Sequence, residues 1–288
     1  MKQPLVVQRS LLPFVGVSLE CLDENKKPVG FVGSGFIRRE NNRLFLYTCW
    51  HLVSGFDLND IKIGRTRPNR RHVRVDFKGA AQRAPGVEVI GGLQTVILPL
   101  YDTSTELPRP CWLQDDRHIP HPDLNAIGIF VPFWHDLVKL ELPADVRVSD
   151  LQVIDETRVF YKSASLVTPG DKCLVVGFPY GFSSVGSAQP TPVVLTRFVA
   201  SDRVVNRRRE LLLESIGAPG MSGGPVFIER GEDLLLFGLY TGLIYPDFAV
   251  ETNDKSTALG TVADLSLILG GHLPLVSIPS ETEDPRAC

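Results

Sequence analysis

The stretch Gly217-Ala218-Pro219-Gly220-Met221-Ser222-Gly223-Gly224-Pro225-Val226-Phe227-Ile228 carries the most information in this chain. Its first nine residues hold four glycines and two prolines. That composition excludes helix and regular ladder, and prescribes a loop that another group approaches closely. Val226–Ile228 then reads as a strand. Ser222 stands at the centre of the loop, with Gly220 two residues before it.

A serine between glycines suits acyl transfer, which needs a hydroxyl nucleophile beside backbone N–H groups aimed at the developing oxyanion. Gly220 and Ser222 can supply two such donors. The hydroxyl also needs a histidine as base, and the histidine an acid that fixes its tautomer. His51 fits the first need: it follows the run Leu44–Cys49 within Tyr47-Thr48-Cys49-Trp50-His51-Leu52-Val53, after the strand-like Gly33-Ser34-Gly35-Phe36. Asp123 is the expected acid, since it begins Asp123-Leu124-Asn125-Ala126-Ile127-Gly128-Ile129 at the mouth of an apolar run. Asp57, Asp60, Asp102, Asp115 and Asp116 sit in polar loop contexts where a solvated role is the default.

The rest of the chain repeats one cadence. Apolar runs at Phe14–Cys21, Phe31–Arg38, Leu44–Cys49, Val73–Phe77, Ala126–Val131, Cys173–Gly177, Val193–Val199, Leu211–Glu214, Val226–Ile228 and Leu234–Leu243 alternate with Gly, Pro, Asn and Asp punctuation. This predicts an all-β protein built from hairpins. Glu40-Asn41-Asn42 reads as the tight turn of the first hairpin. Val262, Leu265, Leu267, Ile268 and Leu269 predict a short C-terminal helix. The runs divide around Pro132–Asp150, which predicts two β-barrels, residues 1–135 and 136–278, followed by a loose tail at 279–288.

Composition narrows the function classes. The chain has 288 residues, of which 43% are hydrophobic and 22% charged, with a net charge of −3. Disorder is excluded, and no overall field attracts nucleic acid or an anionic membrane. No run approaches the roughly 18 apolar residues that cross a bilayer. Arg9 and Pro13 interrupt the apolar start, so it does not read as a signal peptide. Five scattered cysteines without a CxxC pair suit reduced thiols and a cytoplasmic location. His118-Ile119-Pro120-His121-Pro122-Asp123 looks like a ligand cluster, but its prolines preclude a helical face, and no metal is expected. The basic residues of Arg65–Arg74 and Arg207–Arg209 lack interleaved aromatics, so they read as solvated loops.

Together GSGF at Gly33–Phe36, TCWH at Thr48–His51, DLNAI at Asp123–Ile127 and GMSGGPVF at Gly220–Phe227 resemble the trypsin-like, chymotrypsin-fold serine proteases. The match lies nearest the bacterial HtrA/Deg-type peptidase domains, in the order His, Asp, Ser and over about Val15 to Leu269. The resemblance implies two perpendicular six-stranded barrels with the site in the cleft between them. It implies a hydrolase with His51 as base, Asp123 as orienter, Ser222 as nucleophile and the Gly220 and Ser222 N–H groups as oxyanion hole, and no cofactor. It places Ile216 at the base of the primary specificity pocket with Thr241, Gly242 and Leu243 on its wall, which implies small or medium apolar residues before the cut.

The departures are specific. Met221 stands where digestive members carry aspartate and HtrA-like members asparagine, Cys49 and Trp50 replace the alanines of TAAH, and no PDZ domain is expected after Leu269. A protein or peptide substrate and an activating or targeting protein partner are the partners implied. Two alternatives stand beside this reading. One is a protease-fold binding module without catalysis. The other is an α/β-hydrolase esterase reading of Gly220-Met221-Ser222-Gly223-Gly224, with Asp247 or Asp254 and His272, which requires a helix where Pro225–Ile228 reads as strand.

Overall fold

The structure, a computed structural model, describes residues 12–56, 70–80, 90–104, 108–155 except 116, 120, 126–127 and 134, 167–181, 191–214 except 206–207, 218–244 except 232, 258–265 and 275–277. A first sheet is built from β1 (Gly16–Leu22), β2 (Pro28–Glu40), β3 (Arg43–Thr48), β4 (His72–Ala80), β5 (Ile90–Pro99), β6 (Val138–Glu141) and β7 (Val153–Asp155). Its order is β6-β3-β2-β1-β4-β5, and β7 runs parallel to β2 along Ile37–Arg39, just beyond the last β1 partner, Phe36. The β2–β3 turn behaves as its sequence demands. Asn41 and Asn42 both take positive φ, 47° and 64°, while Glu40 faces Arg43.

The second unit is a closed barrel of β8 (Lys172–Gly177), β9 (Val193–Val205), β10 (Arg208–Leu213), β13 (Leu259–Asp264), β12 (Asp233–Ile244) and β11 (Pro225–Arg230), in that circular order. Strand periodicity explains how it joins the first sheet. Cys173 and Val175 of β8 and Val226 and Ile228 of β11 face the barrel core, while Leu174, Val176 and Phe227 between them belong to the core of the first sheet. These two strands are buried on both faces, hence their unbroken apolar runs.

The all-β class and the six-stranded second barrel agree with the sequence reading, and the described residues differ from it or fall short of it in four places. The described pairings of the first sheet form an open path from β6 to β5, and a second closed barrel is not shown among the described residues. β6 and β7 lie beyond the expected break at 135/136, yet pair with β3 and β2, because the Leu137–Leu142 alternation supplies a strand where prolines and charges suggested a linker. Val262 lies in β13, paired with Leu211 on one side and Tyr240 on the other; residues 266–269 of the expected helix fall outside the described residues. Ala126–Val131 is no strand over its described part: Gly128 turns the chain at φ +75°, and only Val131 enters a short pairing, with Ile119. The expected tail at 279–288 also lies outside the described residues.

Candidate active site

His51 sits on a single helical turn, α2 (Trp50–Ser54; α1 is Leu12–Val15), that follows β3 after Cys49 alone. Trp50, Leu52 and Val53 are buried around it, which leaves the His51 side chain 27% exposed. Gly55, at φ 85°, closes the turn by donating its N–H to the His51 carbonyl at 3.0 Å, the left-handed cap that glycine adopts without a Cβ penalty. Arg70 donates to the same carbonyl at 2.9 Å and to that of Leu52 at 2.5 Å, and lies 3.8 Å over the Phe31 ring. The basic run is therefore not wholly a solvated loop. Arg70 is buried, which lowers its pKa, and Arg74 pairs with Glu20 at 2.9 Å; Arg65, Arg67 and Arg207 lie outside the described residues.

The carboxylate at His51 is Asp136, not Asp123. Asp136 Oδ2 lies 2.5 Å from His51 Nδ1, and Oδ1 accepts the His51 backbone N–H at 2.9 Å. Register explains the choice. β6 runs antiparallel to β3 with Val138 opposite Thr48, so the residues just before β6 lie beside those just after β3. Asp123 instead occupies α3 (Pro122–Asn125), where Leu124 turns inward and Asp123 faces solvent. The signal available in the sequence was Asp136 heading the alternation Leu137-Val138-Lys139-Leu140-Glu141-Leu142.

A polar brace fixes that register. Lys139 donates to Glu40 at 2.7 Å, Arg38 donates to it at 3.0 Å, and the Tyr47 hydroxyl donates to the same carboxylate. Burial pushes the Glu40 carboxyl up, but the Lys139 and Tyr47 hydrogen bonds outweigh it and hold the group below its ordinary value.

The serine loop meets this assembly from the barrel side. Ser222 is half-buried, and its Oγ donates to the Thr241 carbonyl at 3.4 Å. Gly223 N–H donates to Tyr240 O at 2.8 Å, the carbonyl that also accepts the Cys49 thiol at 3.4 Å, so the residue after the serine and the residue two before His51 share one acceptor. Gly223 has φ +90°, and a Cβ there would collide with Ser34 O and Thr48 Oγ1. Gly220 has φ +95°, and its Cβ would strike Phe178 O. Within the loop, Met221 N–H donates to Ala218 O and Gly224 N–H to Met221 O, whereas the Gly220 and Ser222 N–H groups have no acceptor among the described residues.

Cys49, His51 and Asp136 bring three donor atoms within 4.8 Å of one another. Each is already engaged: Asp136 with the backbone and ring nitrogens of His51, and Cys49 with Tyr240. Burial, with Asp136 adding to it, raises the Cys49 thiol well above its ordinary value. His118 packs edge-on against Phe130, ring centroids 5.2 Å apart. Of the expected pocket residues, Thr241 turns its hydroxyl to Thr261 Oγ1 at 2.8 Å, Gly242 follows at the β12 bulge, and Leu243 packs on the barrel core. Ile216 lies outside the described residues, as do Asp57, Asp60, Asp116, Asp247, Asp254 and His272. Among the described residues, no helix is long and apolar enough to cross a membrane.

No family model matches this chain, and no curated protein matches it in sequence. In shape it is similar to the crystal structure of the Rv3671c protease from M. tuberculosis in its active form, at 13% identity over 96% of this chain and 91% of that one, with a TM-score of 0.46.

Proposed function

We propose that this chain is a serine endopeptidase of the trypsin-like kind that cleaves protein or peptide substrates through an acyl-enzyme on Ser222. The observation that carries this reading is the His51–Asp136 pair at 2.5 Å, on the element that faces the Ser222 loop through Thr48 and Cys49. A carboxylate on Nδ1 holds the tautomer that makes Nε2 the base, and stabilises the imidazolium that forms when the serine proton is taken. Ser222 Oγ attacks the scissile carbonyl, His51 returns the proton to the leaving amine, and water repeats the sequence to release the acid. The Gly220 and Ser222 N–H groups stabilise the oxyanion.

The Thr241-Gly242-Leu243 wall is uncharged, and the Thr241 hydroxyl is engaged with Thr261, which supports a preference for small or medium apolar residues before the cut. Met221 is fully buried against Gly177, so activation by an ion pair between this position and a newly cut amino terminus has no acid to form it.

Ser222→Ala should lower peptide hydrolysis by about 10⁶ while leaving the thermal transition in place. Near-wild-type turnover by the purified variant would sink the proposal. Labelling of the wild-type protein by a fluorophosphonate separates it from a binding module, which would not label.

A further inference from the structure

The Ser222 loop carries little side-chain hydrogen bonding of its own. Met221, at its centre, is fully buried and offers only a thioether, a weak acceptor. Something else must hold the loop against the conformational freedom of four glycines. Every polar group of Ser34 on β2 is directed to that task or to the neighbouring histidine segment. Its Oγ donates to Gly220 O at 2.6 Å and accepts the Phe178 N–H at 2.9 Å. Its N–H donates to Ser222 O at 2.8 Å, and its carbonyl accepts Thr48 Oγ1 at 2.8 Å. The side chain is fully buried.

We infer that Ser34 is a positioning residue for the proteolytic reaction, locking the peptide plane between Gly220 and Met221 in the orientation that aims the flanking N–H groups at an oxyanion. The inference rests on the endopeptidase reading above. The geometry is that of a two-ended clamp. The carbonyl of that peptide is held by Ser34 Oγ, and its N–H by Ala218 O at 3.0 Å. A peptide bonded at both ends cannot turn over, and the adjoining peptides that carry the Gly220 and Ser222 N–H groups are held beside it, Pro219 O accepting the Tyr180 N–H at 2.5 Å and Met221 O the Gly224 N–H at 2.9 Å. Without the hydroxyl, one end is free and Gly220, having no Cβ, meets no steric barrier to the flip. The Phe178 N–H would also be left buried without its partner.

The surroundings are shaped to the hydroxyl. A Cβ at Gly177 would stand 2.7 Å from Ser34 Oγ and 3.0 Å from Met221 Sδ, and one at Gly223 would collide with Ser34 O. Through Thr48 the same residue reaches the segment that leads into His51. One neutral residue thus touches both the serine loop and the histidine segment without an ion pair: its hydroxyl and N–H hold the loop, and its carbonyl holds Thr48.

The test compares wild-type protein, Ser34→Ala and Gly177→Ala, which displaces the same hydroxyl from the opposite side. Three quantities are read: the rate of fluorophosphonate labelling of Ser222, kcat and KM on one peptide, and the inhibition constant of a peptide aldehyde that forms a tetrahedral adduct. Both variants should retain a melting transition, keep KM within about threefold, and lose about 100-fold in labelling, kcat and aldehyde affinity, the loss typical of one oxyanion donor. Wild-type labelling by Ser34→Ala would overturn the positioning role and leave the endopeptidase reading intact. A KM effect without a kcat effect, or loss of the melting transition in both variants, would make Ser34 a binding or structural residue and overturn it as well. Failure of the wild-type protein itself to label would overturn the endopeptidase reading, and the positioning role with it.

Discussion

The two halves of the site are held by different means. His51 and Asp136 come from one sheet, and their meeting is a matter of register: Val138 opposite Thr48 brings the acid to the histidine. The Ser222 loop belongs to the barrel but lies between its strands, held by single bonds such as Ser34 N–H to Ser222 O and Gly223 N–H to Tyr240 O. Its shape comes from Gly220 and Gly223 at φ +95° and +90°, packed against backbone outside the loop. A paired strand averages its placement over several hydrogen bonds and a buried face, so it tolerates side-chain change. A glycine loop pressed on a neighbouring backbone has no such reserve. Substitutions on the two sides should therefore fail differently: through chemistry on the sheet side, through shape on the loop side.

The largest effect tests the sheet side. Asp136→Asn keeps the side-chain volume and the hydrogen bond to the His51 backbone but presents the wrong partner to Nδ1. It should lower kcat by about 10⁴ with the fold retained, whereas Asp123→Asn should leave turnover unchanged. Steady-state kinetics on one peptide decides. If Asp123→Asn inactivates and Asp136→Asn does not, the pair seen at 2.5 Å is not the working one.

That reversal of the two aspartates also marks how far the sequence could be read. The shape of the Ser222 loop and the place of His51 just after a strand were legible because glycine, proline and a strand-end histidine encode local backbone shape, and the Asn41-Asn42 turn was legible for the same reason. The carboxylate that meets His51 was not, because its identity depends on which strand pairs with β3 and in what register, a non-local choice that Leu137–Leu142 states only weakly. Prolines at 132 and 143 bracket a four-residue strand and give it the look of a linker. Arg70 is equally hard to read. Nothing local separates it from its solvated neighbours, yet it carries the carbonyls of His51 and Leu52. β13 takes in Val262, where the expected helix was to begin, because a single apolar position cannot separate the two periods.

On the loop side, Gly223→Ala should act through shape. Its Cβ would overlap Ser34 O, and φ +90° adds strain for any L side chain. Backbone strain and overpacking together should cost about 3 kcal/mol of stability, visible as a lower denaturant midpoint, and should cut activity even where the protein remains folded. An unchanged midpoint would mean that the loop relaxes freely, and the contrast with the sheet side would be lost.

The smallest effect asks whether the two regions unfold as one. Each carries a buried thiol: Cys21 in β1, pushed up from 9.0 to about 11, and Cys173 in β8, pushed up to about 12, in both cases chiefly by burial. A thiol whose folded pKa is raised holds its proton after the unfolded chain has lost it. Its contribution is therefore complete below pH 9 and declines as pH rises toward the folded values, by roughly 1.4 kcal/mol for each pH unit climbed between the unfolded and folded pKa. Cys21→Ala and Cys173→Ala should each flatten the alkaline slope of stability by about 2 kcal/mol between roughly pH 9 and 11. Because Leu174, Val176 and Phe227 of the barrel lie in the core of the first sheet, breaking either core exposes the other. Both substitutions should consequently act on one shared transition. Calorimetric scans at about pH 10 that resolve two transitions, one responding only to Cys21→Ala and the other only to Cys173→Ala, would show that sheet and barrel melt independently, and that the shared apolar strands join them less firmly than their burial implies.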